Sequence, residues 1–211
     1  MPDLTLAQLK QAYDAALEQM AAESFLEKGM EPGDVIDRLK LGNNTLTSDP
    51  NAAELPGKLR MTPEQAEAFA SRYRIIDAQP DDATGFSAVA LLDTTTNKVI
   101  IAVRSTEFAL NRPHDVATDV QIGLKGFAFE QILSMEAFKD KVRTELPTGL
   151  SPDIPFNLVG YSLSGNVVRT MAAMFPTEFS QAAGSNIVFN PTGLGDFRER
   201  SNYTGPARTR A

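Results

Sequence analysis

The sequence contains no cysteine, and it has one histidine among its 211 residues. Without cysteine the chain can form no disulfide, no thiolate metal site and no cysteine nucleophile. The single histidine, His114, excludes a zinc site built from several histidines, and we expect no metal centre. Any histidine-dependent mechanism within this sequence has to use His114.

The sequence also lacks a basic surplus and a long apolar run. Lys and Arg number 20 against 27 Asp and Glu, which gives a net charge of −7. Binding of nucleic acid requires a basic face, so we expect no nucleic-acid partner. No run of about 18 apolar residues is present, so no transmembrane segment is expected. The N-terminus has neither the basic flank nor the uninterrupted apolar stretch of a conventional signal peptide.

What is present is the composition of a globular domain, with 42% hydrophobic and 22% charged residues. Apolar residues recur at three- and four-residue steps from Leu6 to Met20, which predicts an amphipathic helix over residues 5–28. Two further helices are predicted, one from Pro32 to about Gly42 and one from Thr62 onward. The first and third begin with capping boxes, Thr5 with Gln8 and Thr62 with Gln65.

Strands and helices alternate in the rest of the chain. Strands are predicted at 86–92, 98–103, 156–159 and 186–189, the first two as a hairpin, and helices at about 129–146 and 163–175. This alternation favours an α/β fold with a mostly parallel sheet flanked by helices. We predict an N-terminal helical segment at 1–60, a core at 61–197 and a tail at 198–211, with loops at 43–57 and 106–126.

In the segment FNLVGYSLSGNVVRTMAAMF a buried strand is predicted to run through a short turn into an apolar-faced helix. A serine exposed on such a sharp turn needs small residues two positions before and after it, and Gly160 and Ser164 meet that need around Ser162. The Ser162 hydroxyl would lie beside the positive end of the helix, where the Leu163 N–H can stabilise an oxyanion. A turn with an incidental serine is the plainer alternative. Ser164 is the weaker nucleophile because its flanking residues are Ser162 and Asn166.

Three segments resemble the class 3 lipases, including lipase domains of large bacterial secreted proteins. Val99–Glu107 (VIIAVRSTE) is similar to the strand that ends in that family's Arg-Gly-Thr/Ser signature. Leu158–Gly165 (LVGYSLSG) resembles the Gly-His-Ser-Leu-Gly-Gly elbow, and Ile187–Asp196 (IVFNPTGLGD) resembles the strand and Gly-Asp turn that follow. The resemblance implies an α/β-hydrolase fold and a serine carboxylic-ester hydrolase, lipase- or phospholipase-like. It also implies an acyl lipid or ester substrate, no organic cofactor and an extracellular location, with a cytoplasmic one as the alternative.

The resemblance also implies roles for residues near the end of the first signature. Thr106 would supply the second oxyanion donor, and the alternative is a threonine that only caps a strand. Ser105 and Ser164 stand where the family has glycine. We expect Arg104 to be a structural residue that pairs with a carboxylate.

A serine nucleophile needs a base, normally a histidine oriented by a carboxylate, in the chain order serine, acid, histidine. No histidine follows Ser162 in this sequence. We therefore expect the acid and the histidine in further sequence beyond Ala211, and little or no activity from the present chain. As a base, His114 would reverse the order, and a loop or substrate-contacting role is the alternative. Asp119 is expected either to support the oxyanion loop or to lie on the surface.

Two other functions compete with the hydrolase. The chain could be a catalytically inactive hydrolase-like module that binds a ligand or partner. The N-terminal helices, residues 1–42, could serve an interaction role instead of packing on their own domain.

Overall fold

The computed structural model describes residues 5–42, 59–105, 129–182 and 184–190. The helices in these ranges are α1 (Leu6–Glu23), α2 (Pro32–Leu41), α3 (Pro63–Arg72), α4 (Phe129–Thr144) and α5 (Leu163–Met174). The strands are β1 (Tyr73–Gln79), β2 (Ala88–Asp93), β3 (Lys98–Val103), β4 (Asn157–Tyr161) and β5 (Asn186–Phe189). The predicted loops at 43–57 and 106–126 and the tail at 198–211 lie outside these ranges.

The five strands form one open sheet in the order β1-β2-β3-β4-β5, so the chain belongs to the α/β class. The sheet is mixed and not mostly parallel as predicted, because β1–β2 and β2–β3 are antiparallel while β3–β4 and β4–β5 are parallel. The antiparallel part is also the larger, with six paired positions per strand pair against four. The difference arises because the first three strands follow one another without an intervening helix, which brings neighbouring strands together in opposite directions. Strand β1 was not among the predicted strands.

Both predicted capping boxes are confirmed. At the start of α1 the Thr5 hydroxyl accepts from the Gln8 N–H, and the Gln8 side chain accepts from the Thr5 N–H at 2.8 Å. The helix ends at Glu23, before the predicted end at residue 28. There the Ser24 hydroxyl donates to the Met20 carbonyl at 2.7 Å, and Phe25 takes a φ of +52° that no helix can continue.

The buried face of α1 differs in part from the apolar period seen in the sequence. Leu6, Leu9 and Tyr13 are 83%, 50% and 51% exposed. The buried apolar residues of α1 are mostly small: Ala15, Leu17, Ala21 and Ala22. The apolar period therefore identified the helix correctly, and Leu17 and Met20 of that period do face the core.

Two apolar layers cover the sheet. In β3, Val99, Ile101 and Val103 point toward α4 and α5, while Ile100 and Ala102 point toward α1, α2 and α3, as the two-residue period of a strand requires. The N-terminal helices and the sheet thus share one core. The division of the chain at residue 60 stays a prediction. Across the described ranges, no helix combines the length and apolar character needed to cross a bilayer.

Candidate active site

Ser162 lies on the turn between β4 and α5, and its backbone is strained. Its φ is 54° and its ψ is −118°, a combination that costs a non-glycine residue about 1–3 kcal/mol. The turn is tight enough to require glycine two positions earlier. A Cβ on Gly160 would lie 2.8 Å from the Ser164 carbonyl oxygen and 2.9 Å from Cγ2 of Val168. The sequence therefore folds here into the sharp strand–serine–helix turn that the pattern predicts.

Ser164 stabilises this turn through its side chain. The class 3 lipase pattern has glycine at this position. Its buried hydroxyl accepts from the Tyr161 N–H and donates to the Tyr161 carbonyl, both at 2.9 Å. The half-buried Ser162, by contrast, makes no side-chain capping hydrogen bond to α5 within the described ranges. Of the two serines, Ser162 is therefore the one with a hydroxyl available for chemistry.

The surroundings of Ser162 favour negative charge. The first backbone amides of α5, beginning with Leu163, have no acceptor within the helix, and the helix dipole adds positive potential there. The Ser162 N–H donates to the Phe189 carbonyl at 3.0 Å, and the Gly165 N–H donates to the Ser162 carbonyl at 3.1 Å. These two bonds attach the Ser162 backbone to β5 and to α5.

The end of β3 lies beside this turn, because Val103 pairs with Gly160 in the parallel ladder. Arg104 follows Val103, is buried, and forms an ion pair with Asp81 at 2.9 Å. Its guanidinium also stacks over the Phe25 ring, with 4.3 Å between the guanidinium carbon and the ring centroid. The predicted structural role of Arg104, pairing a carboxylate, is confirmed.

The described ranges contain two of the predicted site residues, Ser162 and Leu163, which the turn holds next to each other. Thr106, His114 and Asp119 lie outside the described residues, so their relation to Ser162 stays a prediction. Sequence reasoning missed Gln19 and Glu23, two buried polar residues of α1 at the same edge of the sheet. Their four-residue spacing puts them on one helix face, and this was the available signal.

Asn166 is another buried polar residue near the turn. It is fully buried one helical turn after Ser162, and neither of its amide atoms has a hydrogen-bond partner in the part of the chain that the structure describes. A buried unpaired amide costs about 1–3 kcal/mol, so Asn166 is a local weakness in an otherwise well-bonded turn.

A cavity of about 560 Å³ lies at the opposite end of the parallel strands, between α1 and the residues that open β3, β4 and β5. Arg72 there bonds Asp93 through two nitrogens, at 3.1 and 2.8 Å, and Asp14 at 3.0 Å. Glu18 accepts from the Tyr73 hydroxyl at 3.0 Å, and burial raises the pKa of Glu18 to about 7 against the lowering effect of that bond. Arg72, Asp14 and Asp93 of this cavity pair with one another, and the cavity lies at the opposite end of the strands from Ser162.

No group of three or more His, Cys, Asp or Glu side chains within the described ranges is placed to hold a metal ion. No protein-family model, curated protein or solved structure matches this chain. The likeness to class 3 lipases therefore rests on the three sequence segments alone.

Proposed function

We propose that the chain is a serine carboxylic-ester hydrolase, lipase-like in its acyl substrates, with Ser162 as the nucleophile. The observation that carries this proposal is the backbone of Ser162, at φ 54° and ψ −118° between a parallel strand and a helix N-terminus. A non-glycine residue keeps such a conformation only where its surroundings impose it, and residues held in this way cluster at functional sites. The α/β-hydrolase identity of the mixed sheet is part of the same proposal.

The proposed chemistry is acyl transfer through the Ser162 oxygen. Ser162 Oγ attacks the ester carbonyl carbon, and the carbonyl electron pair moves onto oxygen, where the Leu163 N–H and Thr106 stabilise the oxyanion. The Ser162 hydroxyl gives up its proton to water or to an added base during the attack. The oxyanion then collapses, the C–O bond of the leaving alcohol breaks, and the alcohol takes that proton back. Water then hydrolyses the acyl-Ser162 ester and regenerates the hydroxyl.

The proton of the Ser162 hydroxyl needs an acceptor, and this sequence supplies one histidine, His114. Without a base positioned after Ser162, the hydroxyl stays protonated at neutral pH and is a weak nucleophile. Serine proteases stripped of their triad still accelerate hydrolysis on the order of a thousandfold over water. We expect this chain to work near that level, far below the million-fold or more of a complete enzyme.

The test is the initial rate of p-nitrophenyl butyrate hydrolysis with increasing imidazole, which can replace a missing base. Wild-type protein should exceed Ser162→Ala, and the difference should grow with imidazole. The exposed serine variant Ser151→Ala is the matched control and should behave as wild type. His114→Ala should retain the imidazole-dependent rate. Equal rates for wild type and Ser162→Ala at every imidazole concentration would leave the catalytically inactive binding module as the better function.

A further inference from the structure

The cavity between α1 and the sheet has the size of a small-molecule site. Its volume of about 560 Å³ lies within the range of about 300–1,000 Å³ that is usual for ligand pockets. Its floor is apolar, because Ile100, Val159 and Ile187 face α1 from three neighbouring parallel strands. On the helix side, Ala7 and Ala15 line the cavity, and their short side chains leave the space between helix and floor open.

Carboxyl groups outnumber cations in the shielded part of this cavity. Three of the acidic side chains that line it are buried or half-buried: Asp14, Glu18 and Asp93. The half-buried Arg72 pairs with two of them, with Asp14 at 3.0 Å and with Asp93 at 2.8 Å. Lys10 and Lys98 also line the cavity, but both are exposed, so water and salt screen their charges. Among the described residues, the shielded part therefore holds three carboxyl groups and one guanidinium.

Glu18 is the carboxyl group of this cavity that has no cation of its own. Its Oε1 accepts from the Tyr73 hydroxyl at 3.0 Å, and this is the only hydrogen bond or ion pair of its side chain within the described residues. Burial of an ionised carboxylate without a countercharge is unfavourable. Burial accordingly raises the pKa of Glu18, and the nearby charges of Asp14 and Asp93 act in the same direction. A bound cation would supply the countercharge.

The acceptors in the cavity suit an organic ammonium group better than a metal ion. The described acidic side chains are not placed to hold a metal. Thr95 and Thr96 line the cavity and donate their hydroxyl hydrogens to Asp93 at 2.7 and 2.6 Å, so their oxygens can only accept further bonds. An ammonium group offers three N–H donors, and an aliphatic body attached to it would cover the apolar floor.

We propose that this cavity binds a small organic cation, a primary ammonium on a short aliphatic body, with the ammonium against Glu18 and the body on the sheet. The ligand brings a positive charge to the one shielded carboxyl group of the cavity that Arg72 does not pair with. The inference goes beyond the proposed function and does not rest on it, because the cavity lies at the opposite end of the strands from Ser162.

Binding of an ammonium group should depend on the ionisation of Glu18. With a pKa of about 7, Glu18 is mostly ionised at pH 8 and mostly protonated at pH 6, whereas an alkylamine stays charged at both. The other charged or titratable groups that line the cavity or bond Glu18 are Lys10, Asp14, Arg72, Tyr73, Asp93 and Lys98. Burial would raise the pKa of Asp14 and Asp93, but hydrogen bonds outweigh it and lower both. Burial raises the pKa of Tyr73, and the bond to Asp93 raises that of Arg72, so the dependence between pH 6 and 8 belongs to Glu18.

The test is the dissociation constant of n-butylamine, measured by ligand-observed NMR titration of the full chain at pH 8. We expect a Kd of about 1 mM or tighter, which an efficient ligand of this size can reach. n-Butanol has the same aliphatic body without the charge and should bind at least about tenfold more weakly. At pH 6 the wild-type protein should bind n-butylamine about tenfold more weakly than at pH 8.

Glu18→Gln keeps the shape of the side chain and removes its charge. We expect it to weaken n-butylamine binding at least about tenfold at pH 8 and to abolish the difference between the two pH values. The exposed Glu67→Gln on α3 removes the same charge from the surface, and as the matched control it should bind as wild type does. Ala15→Leu extends a side chain into the cavity and leaves Glu18 in place. It should abolish binding, and it decides the question if Glu18→Gln does not fold.

Three results would overturn the proposal. If n-butylamine does not bind at millimolar concentration, the cavity takes no ammonium ligand. Binding that Glu18→Gln or Ala15→Leu leaves unchanged would show that the net negative charge of the chain attracts the amine to its surface. Binding of n-butanol as tight as that of n-butylamine would leave an apolar cavity in which Glu18 has no role. None of these results bears on the reaction of Ser162, so the proposed function stands or falls separately.

Discussion

Ser162 combines two properties at the residue scale, a strained backbone and a hydroxyl at a helix N-terminus. Glycine adopts positive φ without a steric penalty, so Ser162→Gly should relieve strain that Ser162→Ala retains. We expect the glycine variant to unfold with a free energy about 1 kcal/mol higher than the alanine variant, and both to lose Ser162-dependent hydrolysis. Urea unfolding of the two variants measures this difference. An alanine variant as stable as the glycine variant would show that the turn stores no strain.

Gly160 tests the tightness of the same turn. Because an added Cβ would come within 2.8 Å of the Ser164 carbonyl oxygen, Gly160→Ala should lower the free energy of unfolding by about 1–3 kcal/mol. Gly33, in the first turn of α2, is the matched control, since an added Cβ there meets nothing within 4 Å among the described residues. Gly33→Ala should leave stability unchanged or raise it by up to about 1 kcal/mol. Similar losses at both positions would contradict the packing described for the turn.

Asn166 allows a third comparison at this scale. Replacing its buried, unpaired amide with a side chain of similar size should raise the free energy of unfolding, so Asn166→Leu should gain about 1–2 kcal/mol. In Asn186, by contrast, the side-chain oxygen accepts from the Leu158 N–H and the nitrogen donates to the Ser180 carbonyl. Asn186→Leu should lose about 1–3 kcal/mol. If Asn166→Leu lowers the free energy of unfolding as much as Asn186→Leu does, the Asn166 amide is hydrogen-bonded in solution.

At the scale of helices and strands, short sequence patterns were sufficient to predict the elements that carry a distinctive local motif. The capping boxes at Thr5 and Thr62, the hairpin across Asp93–Asn97 and the strand–turn–helix at Ser162 were predictable from a few neighbouring residues. Strand β1 was not, because α3 passes directly into it at Tyr73 with no glycine or proline to mark the change. The inner face of α1 was predicted only in part. Leu17 of the apolar period is buried, but Leu6 is exposed, and the small residues Ala15, Ala21 and Ala22 make up most of the buried face.

Helix α1 also carries the clearest expectation for pH dependence. The folded-state pKa of Glu18 is raised from 4.5 to about 7 by burial, so the folded protein holds a proton that the unfolded chain releases. Stability should therefore be highest below about pH 4.5 for this group and should fall, by about 3 kcal/mol at most, as the pH rises to 7. Burial by itself would raise the pKa of the facing Asp14 and Asp93. The hydrogen bonds from Arg72, together with those from Lys10 to Asp14 and from Thr95 and Thr96 to Asp93, outweigh it and lower both pKa values, which places their contributions below this window.

Urea unfolding at pH 5 and pH 8 measures this effect. Glu18→Gln should flatten the decline between the two pH values, because the amide does not ionise. The exposed Glu67→Gln on α3 is the matched control and should keep the wild-type decline. If Glu18→Gln retains the full decline, a different group is responsible for it.

At the scale of the whole molecule, the order and direction of the strands determine which residues lie near the Ser162 turn. The bond between Glu23 and Ser105 joins positions 82 residues apart, and no local pattern encodes such a pairing. The sequence pattern was enough to place Ser162 and Leu163 on one turn because they are neighbours in the chain. It was not enough to predict the mixed sheet, whose antiparallel half follows from the uninterrupted run β1–β2–β3.

The central claim is that Ser162 is a nucleophile that takes up acyl groups. Peptide mapping by mass spectrometry after brief exposure to p-nitrophenyl acetate tests it directly, since slow deacylation should allow the acyl-serine to accumulate. We expect an acetyl group on Ser162 in the folded protein, absent from that position in Ser162→Ala and in protein unfolded by urea. Acetylation that spares Ser162, or that modifies folded and unfolded protein alike, would contradict the account.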